Sequence, residues 1–184
     1  RYIADASFTF SPGRVREALQ RNGLVFSETQ AKPVVVIPVK PGVGWANDSL
    51  WASSWNSVAQ RGSLRPVVVP IGDATEIAMT GNVIADAANW RQFAALAEKY
   101  GATEVWVTAA ARTNNGLAVT LASLKQDGRR DSRYNIIANP GEGEGALSVR
   151  AAAMVRAAFE EVWKSQTAVN YGLRSSLEAA VSFT

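Results

Sequence analysis

The sequence predicts an α/β fold: a single mixed sheet, made of parallel strands plus an antiparallel meander, that is covered by helices. Two β-branched runs, residues 33–38 and 66–71, are bounded by prolines and do not alternate, which is typical of strands buried on both faces. A helical segment separates the two runs, and a crossover of this kind implies a parallel pair. Three strands at 104–111, 117–125 and 132–138 follow with short turns between them, which predicts the meander.

Helices are predicted from capping residues and apolar spacing. Ser11 is expected to cap a short helix that has Pro12 at its first position. Asp48 is expected to cap a helix at residues 49–60, and Asp86 to begin another at 86–101. A long helix at 146–170 should lie across the sheet.

The ends of the sequence each show the alternation of a half-buried strand, at residues 2–10 and 177–183. We therefore expect three parts. Residues 1–30 would be the strand–helix tail of a preceding domain, residues 31–172 a central α/β domain, and residues 173–184 the start of a following strand.

Composition excludes several kinds of chemistry. The 184 residues contain no cysteine and no histidine, so disulfides, thiolate catalysis, cysteine-based metal sites and a serine–histidine–aspartate triad cannot be formed within this chain. No apolar stretch is long enough for a membrane span, and no motif meets the requirements of a cofactor-binding site. We therefore expect no cofactor and no membrane-spanning segment.

The net charge of +3 is small, and its densest basic stretch is residues 125–133. Asp127 and Asp131 interrupt the four basic side chains of this stretch. A solvated hairpin tip is the favoured interpretation, and a phosphate-binding patch is the alternative. Nucleic acid is accordingly not expected as a partner.

A glycine loop at residues 141–146 has the spacing Gly-x-Gly-x-x-Ala of a dinucleotide fingerprint. Glu142 and Glu144 would place negative charge where the phosphates must sit, and the preceding strand belongs to a meander rather than to a βαβ unit. A loop whose acidic residues favour the start of a helix is therefore the better interpretation.

Asp73, Glu76 and Asp86 are the nearest approach to a carboxylate cluster. Carboxylates can act as acids, bases or ligands for hard metal ions, and Asp73 follows the second buried run, where α/β sheets often bind ligands. Asp73 and Asp86 are also natural helix caps, and capping is the favoured interpretation.

Trp45, Trp51 and Trp55 form the candidate interaction surface. Trp51 and Trp55 are one helical turn apart, so they either anchor their helix on the sheet or present an aromatic platform to a partner. Trp45 lies in an irregular glycine-containing segment and is the candidate expected to be exposed.

The order of these features resembles an exported proteobacterial family known as the domain of unknown function number twenty sixty-six. The resemblance is carried by residues 2–10, 26–29, 33–39, 50–55, 66–73 and 96–105. It implies a periplasmic or otherwise exported protein with flanking domains, and the family offers no catalytic residue to carry over. The element order is also similar to the amino-terminal domain of TolB proteins, whose domains bind other proteins, and this likeness concerns the fold alone.

We therefore predict a non-catalytic module of the bacterial cell envelope that binds or scaffolds another envelope protein. The alternative is a small-molecule or nucleotide-binding domain, including a metal-dependent hydrolase that uses Asp73. A third possibility is a structural piece of a larger multidomain chain. The sequence does not predict an oligomeric state.

Overall fold

The computed structural model describes residues 11–21, 31–40, 43–46, 48–63, 65–81, 83 and 85–170. The chain divides into two compact units, one made of residues 1–29 with 162–184 and the other of residues 30–161. The first unit contains helix α1, Pro12–Arg21, which begins at the predicted proline. The strands predicted at 2–10 and 177–183 lie outside the described residues.

The described residues from 31 onward contain six strands and four α-helices. The strands are β1 Val34–Lys40, β2 Gly44–Trp45, β3 Val67–Val68, β4 Glu104–Thr113, β5 Gly116–Lys125 and β6 Gly128–Ile137. The helices are α2 Leu50–Ala59, α3 Ala74–Thr80, α4 Trp90–Lys99 and α5 Glu144–Asn170, and a 3-10 helix spans Ala85–Ala87.

The six strands form one mixed sheet, which confirms the predicted fold class. Its main order is β2-β1-β4-β5-β6. Strand β1 is parallel to β4 and to β3, whereas β4, β5 and β6 form the antiparallel meander. Strand β3 pairs with the start of β1 and β2 with its end, so both lie along the same edge.

The strand predicted at 66–71 is much shorter than expected. Only Val67 and Val68 pair with β1, because β2 occupies the far end of that edge through Val39 and Lys40. The same pairing corrects the expectation that the segment after β1 lacks regular structure. A proline at position 70 also has no N–H group to offer a sheet, so the paired region ends early.

Two predicted helix caps are wrong. Ser49 rather than Asp48 caps α2, accepting a hydrogen bond from the Ala52 N–H at 3.1 Å. Asn89 rather than Asp86 caps α4, because Asp86 lies in the 3-10 helix that precedes it. Asp73 caps α3 as predicted.

The core has two layers, one on each face of the sheet. The even-numbered residues of β1 pack with α2 and α5, where Trp55, Val58, Ala151 and Val155 are fully buried. The odd-numbered residues of β1 pack with α4, where Phe93, Leu96 and Ala97 are fully buried. Burial on both faces explains why the sequence of β1 does not alternate.

Gly116→Ala is expected to destabilise the protein by about 1–3 kcal/mol, because overpacking forces the backbone to move. A Cβ atom at this position would lie 1.9 Å from the carbonyl oxygen of Ile136 in β6. The matched control is Gly128→Ala at the other end of the same hairpin, where nothing lies within 4 Å. Chemical denaturation of both variants checks the prediction, and equal losses would contradict it.

Candidate functional site

Trp51 and Trp55, two of the three candidate residues, lie in the core. Their side chains are turned to the sheet, and their rings meet edge to face with centroids 5.8 Å apart. Trp55 also meets Trp106 of β4 at 6.2 Å. These two rings anchor α2 on the sheet, so in this structure they offer no ring surface to a partner.

Trp45 is placed differently. It lies in β2, where its backbone pairs with Val39, and its ring is half-buried against the core on the α4 face of the sheet. The backbone N–H of the next residue, Ala46, donates to the carbonyl of Pro38 at 3.2 Å. Trp45 is therefore a fixed aromatic residue that is half-buried, whereas the sequence led us to expect it to be exposed.

Exposed apolar side chains are concentrated in the segments on either side of this tryptophan in the sequence. Of the seven large hydrophobic side chains that are exposed in the described part, five lie between residues 43 and 79: Val43, Leu50, Ile71, Ile77 and Met79. Strands β2 and β3, which lie within this stretch, share one edge of β1. Residues 43–79 therefore contain most of the exposed large apolar side chains of the described residues.

The three candidate carboxylates do not converge on one site. Asp73 accepts the Glu76 N–H at 2.8 Å as the cap of α3, and Asp86 is exposed. The Glu76 carboxylate is buried and accepts hydrogen bonds from the Lys99 ammonium at 2.6 Å, the Gly72 N–H at 2.7 Å and the Tyr100 hydroxyl. Burial alone raises the pKa of Glu76, but the bonds from Lys99, Tyr100 and Gly72 outweigh it and hold that pKa below its ordinary value.

A buried carboxylate that sequence reasoning missed lies at the start of β4. Glu104 is 1% exposed and accepts hydrogen bonds from Trp106 Nε1 and Ser123 Oγ, each at 2.6 Å. The Arg65 guanidinium pairs with it, and Lys125 Nζ lies 3.5 Å away. Burial raises the pKa of Glu104, but Ser123, Arg65 and Trp106 together lower it more. The signal in the sequence was a glutamate that opens an otherwise apolar strand.

The glycine loop before α5 is held in place by hydrogen bonds to one of its own acidic residues, Glu142. Glu142 forms a two-point contact with Arg150, at 2.8 and 2.7 Å, and also accepts the Asn139 N–H at 2.9 Å. Nη2 of Arg150, one of the two nitrogens that bind Glu142, also donates to the Ile137 carbonyl at 2.7 Å. Glu142 therefore stabilises the path from β6 into α5, which agrees with the interpretation of the loop as a helix start.

Glu142→Gln is expected to lower stability at neutral pH and to have little effect in strong acid. The bonds from Arg150 and Asn139 lower the pKa of Glu142 from its ordinary 4.5 to about 2. A carboxylate with a lowered pKa stabilises the fold fully above its ordinary pKa, and this contribution is lost as the pH falls through about 2. Denaturation curves between pH 2 and 7 check this, with the exposed Glu144→Gln as the control. A loss that is equal at both ends of the range would refute the prediction.

The basic stretch at 125–133 is a hairpin tip, as favoured from the sequence. Strands β5 and β6 meet there through a two-residue turn. Arg129 pairs with Asp131 at 2.8 Å and donates to the carbonyls of Asp86 and Ala88 at 2.9 and 2.7 Å. A cavity of about 260 Å³ beside Arg129 has lining side chains of both signs, among them Asp86, Asp131 and Arg133. Arg129 therefore fixes the tip to the 3-10 helix.

Two further properties follow from the described part of the chain. It contains no group of three or more acidic side chains that could hold a metal ion. None of its helices combines the length and the apolar character that crossing a membrane requires.

No family model matches the chain, and no curated protein matches it either. Among solved structures it is similar to TolB from Acinetobacter baumannii, at 14% identity and a TM-score of 0.49. That alignment covers 74% of this chain but only 29% of the TolB chain.

Two other solved structures have lower TM-scores. The PelC dodecamer from Paraburkholderia phytofirmans matches at 12% identity and a TM-score of 0.41, over 69% of this chain and 87% of that chain. Lipoprotein GNA1162 from Neisseria meningitidis matches at 14% identity and a TM-score of 0.35, over 70% of this chain and 96% of that chain. At these identities the similarities concern the fold alone.

Proposed function

We propose that this chain is a non-catalytic module of the bacterial cell envelope that binds another envelope protein through the surface around Trp45. The observation that carries the proposal is the placement of Trp45, half-buried on a short edge strand, with Val43 exposed beside it. The envelope location rests on the sequence resemblance described above. A scaffolding role within a larger assembly would use the same surface to bind the partner.

The state of Trp45 suits a binding anchor. Tryptophan is enriched among the residues that dominate binding energy, and a ring that is already fixed loses little conformational entropy when a partner covers it. Backbone pairing with Val39 and packing on the core fix this ring before any partner arrives. Val43, 65% exposed, extends the apolar surface on the same short segment.

Three carboxylates of the chain are unsuited to act as general acids. Glu76, Glu104 and Glu142 each contact a cation of the same chain, and hydrogen bonds hold the pKa of each below its ordinary value. A general acid at neutral pH needs the opposite shift. Asp73, the residue named for a hydrolase, uses its carboxylate to cap α3.

The test of binding compares two half-buried tryptophans. Trp45 and Trp90 both pack on the core layer beneath α4, but Trp90 is the first residue of α4, whereas Trp45 lies in β2. The wild-type chain should capture a protein from envelope extract, Trp45→Ala should lose it, and Trp90→Ala should retain it. Calorimetry with the purified captured protein should then show binding at least about tenfold weaker for Trp45→Ala. Equal binding by the two variants would refute the role of Trp45.

The test of catalysis uses Asp73→Asn. Asparagine caps helices about as well as aspartate, so this variant should keep its stability. We expect no turnover of phosphatase, esterase, glycosidase or peptidase substrates by the wild-type chain with added divalent metals. Turnover by the wild type that Asp73→Asn abolishes would replace the binding function with a hydrolase that uses Asp73.

A further inference from the structure

Strand β6 is a long edge of the sheet. It pairs with β5 over all ten of its residues, and no other strand pairs with it in the described part of the chain. An edge of this length presents a row of backbone N–H and C=O groups to another strand. The position of the charges on such an edge decides what can pair with it.

The register shows which backbone groups of β6 point away from the sheet. Lys125 and Gly128 close a two-residue turn, so they exchange both backbone hydrogen bonds, and such pairs recur at every second residue. The backbone groups of the odd-numbered residues of β6 therefore point outward. Arg150 already binds the outward carbonyl of Ile137, at 2.7 Å. The outward groups of Asp131, Arg133 and Asn135 have no such partner in the described residues.

The charges of these residues complement one another when two copies of β6 lie side by side. If two copies of β6 run antiparallel about a two-fold axis at Ser132, Asp131 of each copy lies opposite Arg133 of the other. Arg129 then lies opposite Asn135. All four are outward residues, so every facing pair can exchange backbone hydrogen bonds.

Neighbouring registers are repulsive. With the axis at Asp131, that carboxylate faces its own copy and Arg129 faces Arg133. With the axis at Arg133, two guanidinium groups face each other. Like charges directly opposite destabilise a strand pair, whereas opposite charges stabilise it. The charge pattern therefore favours the axis at Ser132.

The side chains required are accessible. The Asp131 side chain is 62% exposed although Arg129 binds it from one side. Arg133 is exposed and has no ion-pair partner among the described residues. On the other face of β6, the axis at Ser132 places Arg130 opposite Tyr134, where a guanidinium can lie over an aromatic ring.

We propose that β6 is a homodimer interface, through which two copies of this chain pair antiparallel about Ser132 and join their sheets. This goes beyond the binding of another protein, because β6 lies at the opposite edge of the sheet from β2 and Trp45. One closed two-fold pairing would also cover an edge that otherwise invites open-ended association.

The test uses charge reversal on the full chain. Sedimentation velocity over a concentration series should show a monomer–dimer equilibrium for the wild type. Asp131→Arg and Arg133→Asp should each weaken self-association by about tenfold or more, because each places like charges opposite one another twice. An equimolar mixture of the two variants should dimerise again, since each supplies the charge that the other needs. Restored dimers in the mixture also show that both variants are folded.

Amide hydrogen exchange identifies the occupant of the edge. The amides of residues 131, 133 and 135 should exchange rapidly in dilute protein and slowly at concentrations where the dimer forms. Protection that does not change with concentration would mean that a strand of the same chain covers β6, and would overturn the proposal. A wild type that stays monomeric, or dimers that charge reversal leaves unchanged, would overturn it too. Trp45→Ala should leave dimerisation intact, so a failure of the dimer proposal can be distinguished from a failure of the proposed binding function.

Discussion

Trp55→Ala is expected to lower the free energy of unfolding by about 3–5 kcal/mol, as is typical for truncating a core tryptophan. The side chain is fully buried and lies between Trp51 and Trp106, at ring distances of 5.8 and 6.2 Å. Alanine would leave a cavity between α2 and the sheet that neighbouring rings cannot fill. Urea denaturation measures the loss.

Trp45→Ala is the matched control for this substitution. It removes the same atoms from a half-buried site, so we expect a clearly smaller loss of stability. A loss for Trp55→Ala below about 1 kcal/mol would mean that its ring does not hold α2 on the sheet. A larger loss for Trp45→Ala than for Trp55→Ala would assign Trp45 to the core and remove it as a binding anchor.

Arg65→Met is expected to cost about 3–5 kcal/mol at neutral pH, because it leaves a buried carboxylate without its closest cation. The Arg65 and Glu104 side chains are only 12% and 2% exposed, so little water can reach the Glu104 carboxylate to stabilise its charge once the guanidinium is removed. The guanidinium also lies 5.9 Å from the Trp106 ring centroid, a contact that methionine replaces only in part. Arg61→Met, at an exposed position nearby in the chain, is the control and should cost little.

The loss in Arg65→Met should shrink as the pH falls. In the wild type the pKa of Glu104 is lowered, so its contribution to stability is present above the ordinary pKa and is lost in acid. In the variant, burial still raises the pKa of Glu104 and Arg65 no longer lowers it, so less of this contribution remains to be lost in acid. Stability curves of both proteins at pH 4 and pH 7 decide this. An equal difference at the two values would show that the ion pair is not the cause.

Much of the fold could be predicted because burial on two faces and turn chemistry leave local signals. The run at residues 33–38 predicted the central strand β1, and the two short turns predicted the meander of β4, β5 and β6. The length of β3 could be predicted only in part. Pro70 lacks the N–H group that a longer pairing needs, but β2 also occupies the end of the shared edge, and no local pattern indicated that two-residue strand.

The candidate site was predictable in one part only. Helical spacing left open whether Trp51 and Trp55 pack on the sheet or face a partner, and the structure buries both. The irregular segment predicted an exposed Trp45, which the structure places half-buried. The pairing of Arg65 with Glu104 could not be predicted, because these residues are 39 positions apart and meet only after β1 and β4 pair. The complementarity of β6 likewise depends on a register that becomes known only with the hairpin.

Site-specific photocrosslinking in cells tests the central claim most directly. A photoreactive amino acid at position 43, beside Trp45, should form an adduct with one discrete envelope protein. The same amino acid at Met154, an exposed apolar position on α5, should not form that adduct. Introducing Trp45→Ala into the position-43 protein should abolish the adduct. Crosslinking to the same protein from both positions, or an adduct that persists without Trp45, would contradict a binding surface around this residue.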